Sequence, residues 1–277
     1  MGRLGFVDIE AVRIRYFLHD GPASGPIVLG VAPPWKAATS TAGMNAALEA
    51  VSTLARGITI EAPCVGDSSD VPLDYFAKSG TVSEGLAEIW TTVLRTLAID
   101  VSDTIIFAHC AGGTVASALA TRLRLAPRLV VMSGAIDYAD TRNRDQSTFA
   151  RHPGGLWQHT LEGYRRFHPS ATEEDVRRAN ERAHRVRPLR AYDLVAWGDG
   201  FRYFPDPETR KAKFVLVYPE RDHVRVEHRK KIASDLRAEV VTIGGVHDPT
   251  KETLHEWLST YRACVAQVVK PANEIRR

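Results

Sequence analysis

The sequence predicts an α/β protein in which helices cover a mostly parallel β-sheet. Segments rich in β-forming residues alternate with amphipathic segments along the 277 residues, which is the order expected for such a sheet. One buried strand is followed at once by a tight turn and a helix, and two later strands are followed by an acidic residue and a histidine. The apolar share of 44% and the charged share of 25% are ordinary for a globular protein with one large domain.

The elements of the first half follow from local hydrophobic patterns. Two opening strands lie within residues 7–18, and the apolar run over residues 27–32 predicts a buried strand. A helix over about residues 42–54 and a strand over residues 57–62 come next. The segment 83–97 has helical periodicity, since one face carries Leu86, Ile89, Trp90, Val93 and Leu97.

The second half begins with the apolar strand before Cys110 and a helix that starts directly after it. A strand over residues 128–133 follows. After a long interruption, the segments 213–218 and 239–243 are predicted strands, each followed by a helix. The last helix covers about residues 251–269.

The interruption, residues 138–207, is rich in arginine, histidine and tryptophan and lacks a continuous β-forming run. Ser170-Ala171-Thr172-Glu173 fits a capping box, and the helix that follows should end before Pro188. Acidic residues alternate with the arginines, which favours ion pairs along helices over an anion-binding surface. We therefore expect a core formed by residues 1–137 and 208–277, with a helical cap inserted at residues 138–207.

Composition and charge argue against several classes of protein. The formal net charge of +3 is too small to indicate a nucleic-acid partner, and no apolar run is long enough for a membrane span. The first residues lack the apolar stretch of a secretory leader. We therefore expect a cytoplasmic protein with neither a nucleic acid nor a membrane as its partner.

Cysteine spacing and glycine patterns predict no metal and no cofactor. The three cysteines, Cys64, Cys110 and Cys264, form neither a disulfide framework nor a zinc-binding spacing. A glycine-rich dinucleotide fingerprint is absent from the sequence. A reducing compartment suits a chain that must keep a free thiol.

The stretch from Thr104 to Thr114, TIIFAHCAGGT, carries the most specific signal in the chain. Small residues stand two positions before and two positions after Cys110, namely Ala108 and Gly112. This is the layout of a nucleophile elbow, G-x-S-x-G, with cysteine in place of serine and alanine in place of the first glycine. The turn requires small flanking residues because its central residue adopts strained backbone geometry. The thiolate is the nucleophilic form of cysteine, and a helix N-terminus with a nearby imidazole favours it.

Two residues at strand ends are candidate partners of Cys110. Asp222 and His247 each follow a predicted strand, so both are expected at the edge of the sheet where Cys110 lies. His223 is a less favoured alternative to His247, because it directly follows the proposed acid. Asp137, which follows an earlier strand, remains an alternative to Asp222.

With these motifs the chain resembles the α/β-hydrolase fold family over nearly its whole length. The order nucleophile, acid, histidine is the order found in that family, and the segment 63–70 is similar to the turn after the family's fourth strand. The resemblance implies Cys110 as nucleophile, His247 as general base and acid, and Asp222 as the residue that orients His247. Some thioesterases of the fold place the acid where Asp137 stands. Cysteine at the elbow is similar to dienelactone hydrolases, polyhydroxyalkanoate synthases and some thioesterase domains of peptide assembly lines.

The oxyanion hole implied by the resemblance departs from the family pattern. One donor is the N–H of Ala111, directly after the nucleophile. The family usually has His-Gly after the third strand, whereas this chain has Ala32-Pro33-Pro34-Trp35. Since the two prolines have no N–H, the second donor is expected from Ala32, Trp35 or a side chain.

The predicted function is acyl transfer, as in a thioesterase or acyltransferase, from an acyl thioester on coenzyme A or a carrier protein through an acyl-Cys110 intermediate. Exchange of one thiol for another in a thioester is nearly balanced in free energy, so cysteine can be loaded reversibly. Hydrolysis of an ester or lactone, as in dienelactone hydrolase, is the alternative. A non-catalytic protein of the same fold that binds a small ligand is the third. The acyl group, the acceptor, transfer against hydrolysis and the oligomeric state stay open.

Overall fold

The computed structural model describes residues 2–72, 74–136, 160–165, 170–189 and 201–269. Within them the chain forms an eight-stranded sheet with helices on both faces. The strands are β1 (Arg3–Ile9), β2 (Val12–His19), β3 (Ile27–Val31), β4 (Arg56–Ile60), β5 (Thr104–His109), β6 (Leu129–Ser133), β7 (Lys213–Arg221) and β8 (Glu239–Val246). The predicted sheet is thus confirmed, with strand ends that differ from expectation by a few residues.

The strand order β1-β2-β4-β3-β5-β6-β7-β8 places β5 in the interior of the sheet. β1 pairs antiparallel with β2, and β2 pairs antiparallel with β4. All pairs from β4 to β8 are parallel, so their carboxyl ends meet at one edge, where open α/β sheets bind ligands. The residues that follow β3, β5, β7 and β8 are Ala32, Cys110, Asp222 and His247. The topology therefore brings the candidate site residues to one edge of the sheet.

Helices cover both faces of the sheet. Those described are α1 (Asn45–Val51), α2 (Val82–Thr96), α3 (Gly112–Leu123), α4 (Leu161–Arg165), α5 (Glu173–Arg185), α6 (Val226–Leu236) and α7 (Leu254–Val268). α2, α3 and α6 pack on one face, and α1 and α7 pack on the other. Neighbouring residues of a strand enter opposite cores, as Val130 and Val131 do in β6, which is the two-residue period of strands buried on both sides. Among the helices of the described ranges, none is both long enough and apolar enough to cross a lipid bilayer.

The capping box predicted at residues 170–173 is wrong by two residues. Thr172 caps α5, because the Asp175 N–H donates to Thr172 Oγ1 at 3.3 Å and the Thr172 N–H donates to Asp175 Oδ2 at 2.8 Å. Thr172 has the extended backbone of a cap residue, and its hydroxyl reaches the N–H three positions further on. α5 ends before Pro188, as predicted.

Arg185, the last residue of α5, connects this helix to the turn after β4. Its guanidinium donates to the carbonyl oxygens of Gly66 and Ser68 at 2.7 and 2.8 Å and to the Asp70 carboxylate at 2.6 Å. By contrast, Arg177 pairs with acidic residues of α5 itself, which is the ion pairing expected from the sequence. Much of the expected cap at residues 138–207 lies outside the described residues, so its boundaries stay predictions.

Candidate active site

Cys110 occupies the turn between β5 and α3 with a strained backbone. Its φ is 47°, in the left-handed region that non-glycine residues seldom adopt. The Cys110 N–H donates to the carbonyl oxygen of Ser133, at the end of β6, at 2.8 Å. His109 is the last residue of β5 and Gly112 the first of α3. The segment therefore has the strand, turn and helix that the elbow pattern predicts.

Gly112 lets the loop after β3 approach the elbow closely. A Cβ atom at this position would lie 2.2 Å from the carbonyl oxygen of Val31 and 2.8 Å from that of Ala32, closer than packed atoms approach each other. Ala108, the small residue on the other side of Cys110, is fully buried in β5. The demand for a small residue after Cys110 thus comes from the neighbouring loop as well as from the turn itself.

The structure brings His247 and Asp222 together at the carboxyl ends of β8 and β7. His247 Nδ1 lies 2.9 Å from Asp222 Oδ1, and the Val224 N–H donates to the same oxygen at 2.9 Å. The Asp222 side chain is fully buried, so this contact is shielded from water. His223 Nδ1 lies farther from that oxygen, at 3.8 Å. The alternative acid, Asp137, lies outside the described residues.

Two neighbouring side chains, those of Cys110 and Asp222, influence the charge of His247. Burial alone would lower the pKa of His247, but the charge of Cys110 and the hydrogen bond to Asp222 outweigh burial and raise the pKa to about 10. His247 Nε2 is buried and has no hydrogen-bond partner of good geometry among the described residues. Burial would raise the pKa of Asp222, but His247 holds it below its ordinary value, so the carboxylate stays ionised.

Gly134 provides the space for the His247 ring. Its φ is 59°, and a Cβ atom there would lie 2.5 Å from His247 Cε1. Gly134 directly follows Ser133, whose carbonyl oxygen holds the Cys110 N–H. The two residues after Met132 thus position both the candidate nucleophile and the candidate base. Sequence reasoning missed this role, although a Ser-Gly pair directly after a buried strand was the available signal.

The candidate oxyanion donors lie on two sides of the elbow. Ala111 is the N-cap residue of α3 and is fully buried. On the other side, the loop from Ala32 to Lys36, called here the double-proline loop, turns so that the Lys36 N–H donates to the carbonyl oxygen of Pro33 at 2.9 Å. Trp35 is partly buried within this turn. The roles of Ala111, Ala32 and Trp35 as donors stay predictions.

A chain of polar contacts behind the elbow was not foreseen from the sequence. Asp248 directly follows the candidate base; its Oδ2 accepts a hydrogen bond from Lys36 Nζ at 2.8 Å, and its Oδ1 lies 3.1 Å from His109 Nε2. His109 Nδ1 lies 2.8 Å from Ser133 Oγ, which lies 2.7 Å from the Tyr261 hydroxyl. This chain connects the elbow, the double-proline loop and α7.

Among the residues that the structure describes, two sets of side chains have ligand atoms close enough together to be considered for a metal ion. His109, His247 and Asp248 form one set, and Asp222, His223 and His247 form the other, with ligand atoms within 4.8 Å of one another. In both sets the carboxylate is already hydrogen-bonded to a histidine. We assign neither set to a metal, and the expectation that the protein needs no metal and no cofactor stays a prediction.

No family model matches the sequence, and no curated protein matches it. Solved structures are nevertheless similar over almost the whole chain. The haloalkane dehalogenase DbeA from Bradyrhizobium elkani USDA94 has a TM-score of 0.69 at 16% identity, covering 97% of this chain and 99% of its own. The N-acyl homoserine lactonase AidH has a TM-score of 0.69 at 17% identity and covers 98% of both chains. A thioesterase domain from the curacin biosynthetic pathway has a TM-score of 0.60 at 14% identity, covering 94% of this chain and 99% of its own.

At identities this low, the likeness establishes the fold and leaves the activity open. The strand order, the parallel pairing from β4 to β8 and the helices on both faces agree with these neighbours. The chain therefore has the α/β-hydrolase fold.

Proposed function

We propose that this protein is an acyl-transfer enzyme, thioesterase- or acyltransferase-like, that takes an acyl group from an acyl thioester onto Cys110. The observation that carries the proposal is the strained Cys110 beside the buried pair of His247 and Asp222. Strained backbone positions cluster at active sites, and Cys110 is one of several non-glycine residues with positive φ among the described residues. A nucleophile, a base and an acid that orients the base are the groups that covalent acyl transfer requires. Coenzyme A or a carrier protein is the proposed acyl donor.

In the acylation step, the Cys110 thiolate adds to the carbonyl carbon of the thioester, and the carbonyl π electrons pass to oxygen. The N–H of Ala111 and a second N–H from Ala32 or Trp35 stabilise this oxyanion. As the tetrahedral intermediate collapses, the C–S bond to the donor breaks, and His247 gives its Nε2 proton to the departing thiolate. The products are acyl-Cys110, the donor thiol and neutral His247, so protons and charge balance.

In the deacylation step, neutral His247 takes a proton from the acceptor, which is water, an alcohol or an amine, as the acceptor attacks acyl-Cys110. The acyl–sulfur bond then breaks, and Cys110 departs as a thiolate beside the imidazolium. Asp222 accepts from Nδ1 and thereby keeps Nε2 directed to the reaction. Cys110 and His247 are thereby ready for the next acylation.

A thiol nucleophile favours a thioester as the acyl donor. The bond that forms on Cys110 is of the same kind as the bond that breaks, so loading is nearly balanced in free energy. The cap expected over residues 138–207 would limit the access of water, which favours transfer to another acceptor over hydrolysis.

Intact-mass spectrometry tests the proposal directly. Wild-type protein mixed with a panel of acyl-N-acetylcysteamine thioesters should gain the mass of one acyl group. Cys110→Ala should gain none, whereas Cys264→Ala, which removes a thiol buried in α7, should behave like wild type. An unmodified wild type, or an adduct that persists in Cys110→Ala, would contradict the acyl-cysteine intermediate.

Hydrolysis of an ester or lactone is the second candidate, because the same three groups serve it and one structural neighbour is a lactonase. Turnover of simple esters or lactones with no preference for thioesters would favour this candidate. Ligand binding that Cys110→Ala leaves unchanged, without any turnover, would instead indicate a non-catalytic protein of the same fold.

A further inference from the structure

Asp248 connects three of the loops that form the candidate site. It belongs to the loop that carries His247, its Oδ1 contacts His109 of the elbow at 3.1 Å, and its Oδ2 accepts from Lys36 of the double-proline loop at 2.8 Å. The side chain of His109 is almost completely buried, and those of Lys36 and Asp248 are 30% and 27% exposed. A partly shielded charge pair with an additional hydrogen bond restrains its partners more than an exposed pair does.

The charges of these groups fix the direction of the hydrogen bonds. Burial would raise the pKa of Asp248, but His109 and Lys36 hold it well below its ordinary value, so the carboxylate only accepts. Burial lowers the pKa of His109, so its ring is neutral and has one N–H. A hydrogen bond to the carboxylate places that N–H on Nε2, so Nδ1 is the acceptor that faces the Ser133 hydroxyl. The Ser133 oxygen also lies 2.7 Å from the Tyr261 hydroxyl and 3.3 Å from the Ala108 carbonyl oxygen.

This assignment argues against His109 as a second base for Cys110. Its only N–H is donated to Asp248, and its free nitrogen lone pair accepts from Ser133. His109 and Asp248 therefore form a structural connection between the elbow and the loop of the base, rather than a second proton relay.

We propose that Asp248 is a positioning residue that holds the double-proline loop, through Lys36, at a fixed distance from the elbow. The inference rests on the proposed acyl transfer and deepens it by naming what places the second oxyanion donor. Lys36 directly follows Trp35, and its own N–H closes the turn onto Pro33. Because the two prolines supply no N–H to anchor this loop, the Lys36 side chain is one restraint on it, beside the Ala38 N–H that donates to Glu61 Oε1 at 2.8 Å. Displacement of a catalytic group by about 1 Å lowers the rate by about 100-fold.

Two reactions of Cys110 separate the placement of the oxyanion donor from the reactivity of the thiol. Acylation by p-nitrophenyl acetate passes through an oxyanion, whereas alkylation by iodoacetamide does not. Lys36→Met should slow acylation by about 10- to 100-fold and leave alkylation within about two-fold of wild type. Lys36→Arg should recover much of the acylation rate, because a guanidinium also binds the Asp248 carboxylate. Asp248→Asn should slow acylation too, and the two losses should not add in the double variant.

The matched control is Lys211→Met, which removes an exposed ion pair with Glu208 and should change neither rate. Lys36→Gln replaces Lys36→Met if the latter proves unstable in thermal melting. The positioning role would be overturned if Lys36→Met left the acylation rate unchanged or slowed both reactions equally. It would also be overturned if the losses of the two single variants added in the double variant, or if p-nitrophenyl acetate did not acylate the wild type. Failure of the proposed function has a different signature, since wild-type Cys110 would then react with p-nitrophenyl acetate and not with acyl thioesters.

Discussion

The imidazole rings of His223 and His247 lie against each other, with their centroids 4.1 Å apart. The His223 side chain is 43% exposed, whereas that of His247 is 8% exposed, so the outer ring covers the inner one. His109 also contacts His247, with a centroid distance of 5.3 Å. The candidate base is thus packed against two other imidazoles as well as bonded to Asp222.

Replacing the outer ring tests what this packing contributes. His223→Ala should slow acylation of Cys110 by about two- to ten-fold, because an aromatic contact of about 0.5–1.5 kcal/mol that holds His247 is lost. His223→Phe keeps a ring in place and should stay near the wild-type rate. The rates are measured with p-nitrophenyl acetate under single-turnover conditions. Equal losses in both variants would mean that the polar nitrogens of His223 matter instead of its packing.

The titration of His247 should depend on the thiol beside it. The raised pKa of His247, about 10, means that the wild-type ring keeps its proton through neutral pH. In Cys110→Ala the negative charge that contributes most to raising the pKa is gone, so the ring should lose its proton at a lower pH. NMR titration of the labelled imidazole gives both values, with Cys264→Ala as the control that leaves the titration unchanged. An identical titration in wild type and Cys110→Ala would contradict the effect of Cys110 on the pKa of His247.

Gly134→Ala should impair both stability and acylation. The new methyl group would lie 2.5 Å from His247 Cε1 on a backbone with φ of 59°, so strain and overpacking should lower the free energy of unfolding by about 1–3 kcal/mol. Displacement of His247 should slow acylation by about 100-fold. The control Gly163→Ala lies in α4, where the nearest atom is Thr160 Oγ1 at 3.1 Å. Urea unfolding of both variants provides the comparison, and equal stability and activity in the two would disprove the steric explanation.

Arg185→Ala should loosen α5 from the turn after β4. The variant removes contacts to Gly66, Ser68 and Asp70 at once, so amide hydrogen exchange in α5 should become faster. Arg185→Lys should restore only part of the protection, because an ammonium group cannot reproduce the planar fork of a guanidinium. Arg177→Ala, which removes exposed pairs within α5, is the control and should have little effect. Equal exchange in all four proteins would show that this contact does not hold the helix.

The elbow and the strand ends could be predicted because their requirements are local. The sequence shows Cys110 with small neighbours, between a buried strand and a helix, and this pattern predicts a strained residue. Asp222 and His247 each stand within a few residues of the end of an apolar run, although His223 and Asp137 remained competing candidates. The capping box was misplaced because the sequence offers two overlapping choices, and the pairing of Thr172 with Asp175 decided between them.

The connections around Asp248 could not be predicted in the same way. Lys36 and Asp248 are 212 residues apart, and each is one charged residue among many in the chain. Only the parallel order of β3, β5 and β8 brings them within reach of each other. The backbone conformation of Cys64 could not be predicted either. This residue adopts a φ of 64° in the turn after β4, where glycine is the usual residue.

Tyr261 gives the site a connection to the opposite side of the sheet. It belongs to α7 and packs on Phe107 in the core that contains α1, while its hydroxyl reaches Ser133, beside the nucleophile. A change in how α7 packs would therefore alter the surroundings of the Cys110 thiol, and this would not require contact between that helix and a substrate. For a protein engineer, this makes the back of the sheet a place from which reactivity can be adjusted while the binding surface is left intact.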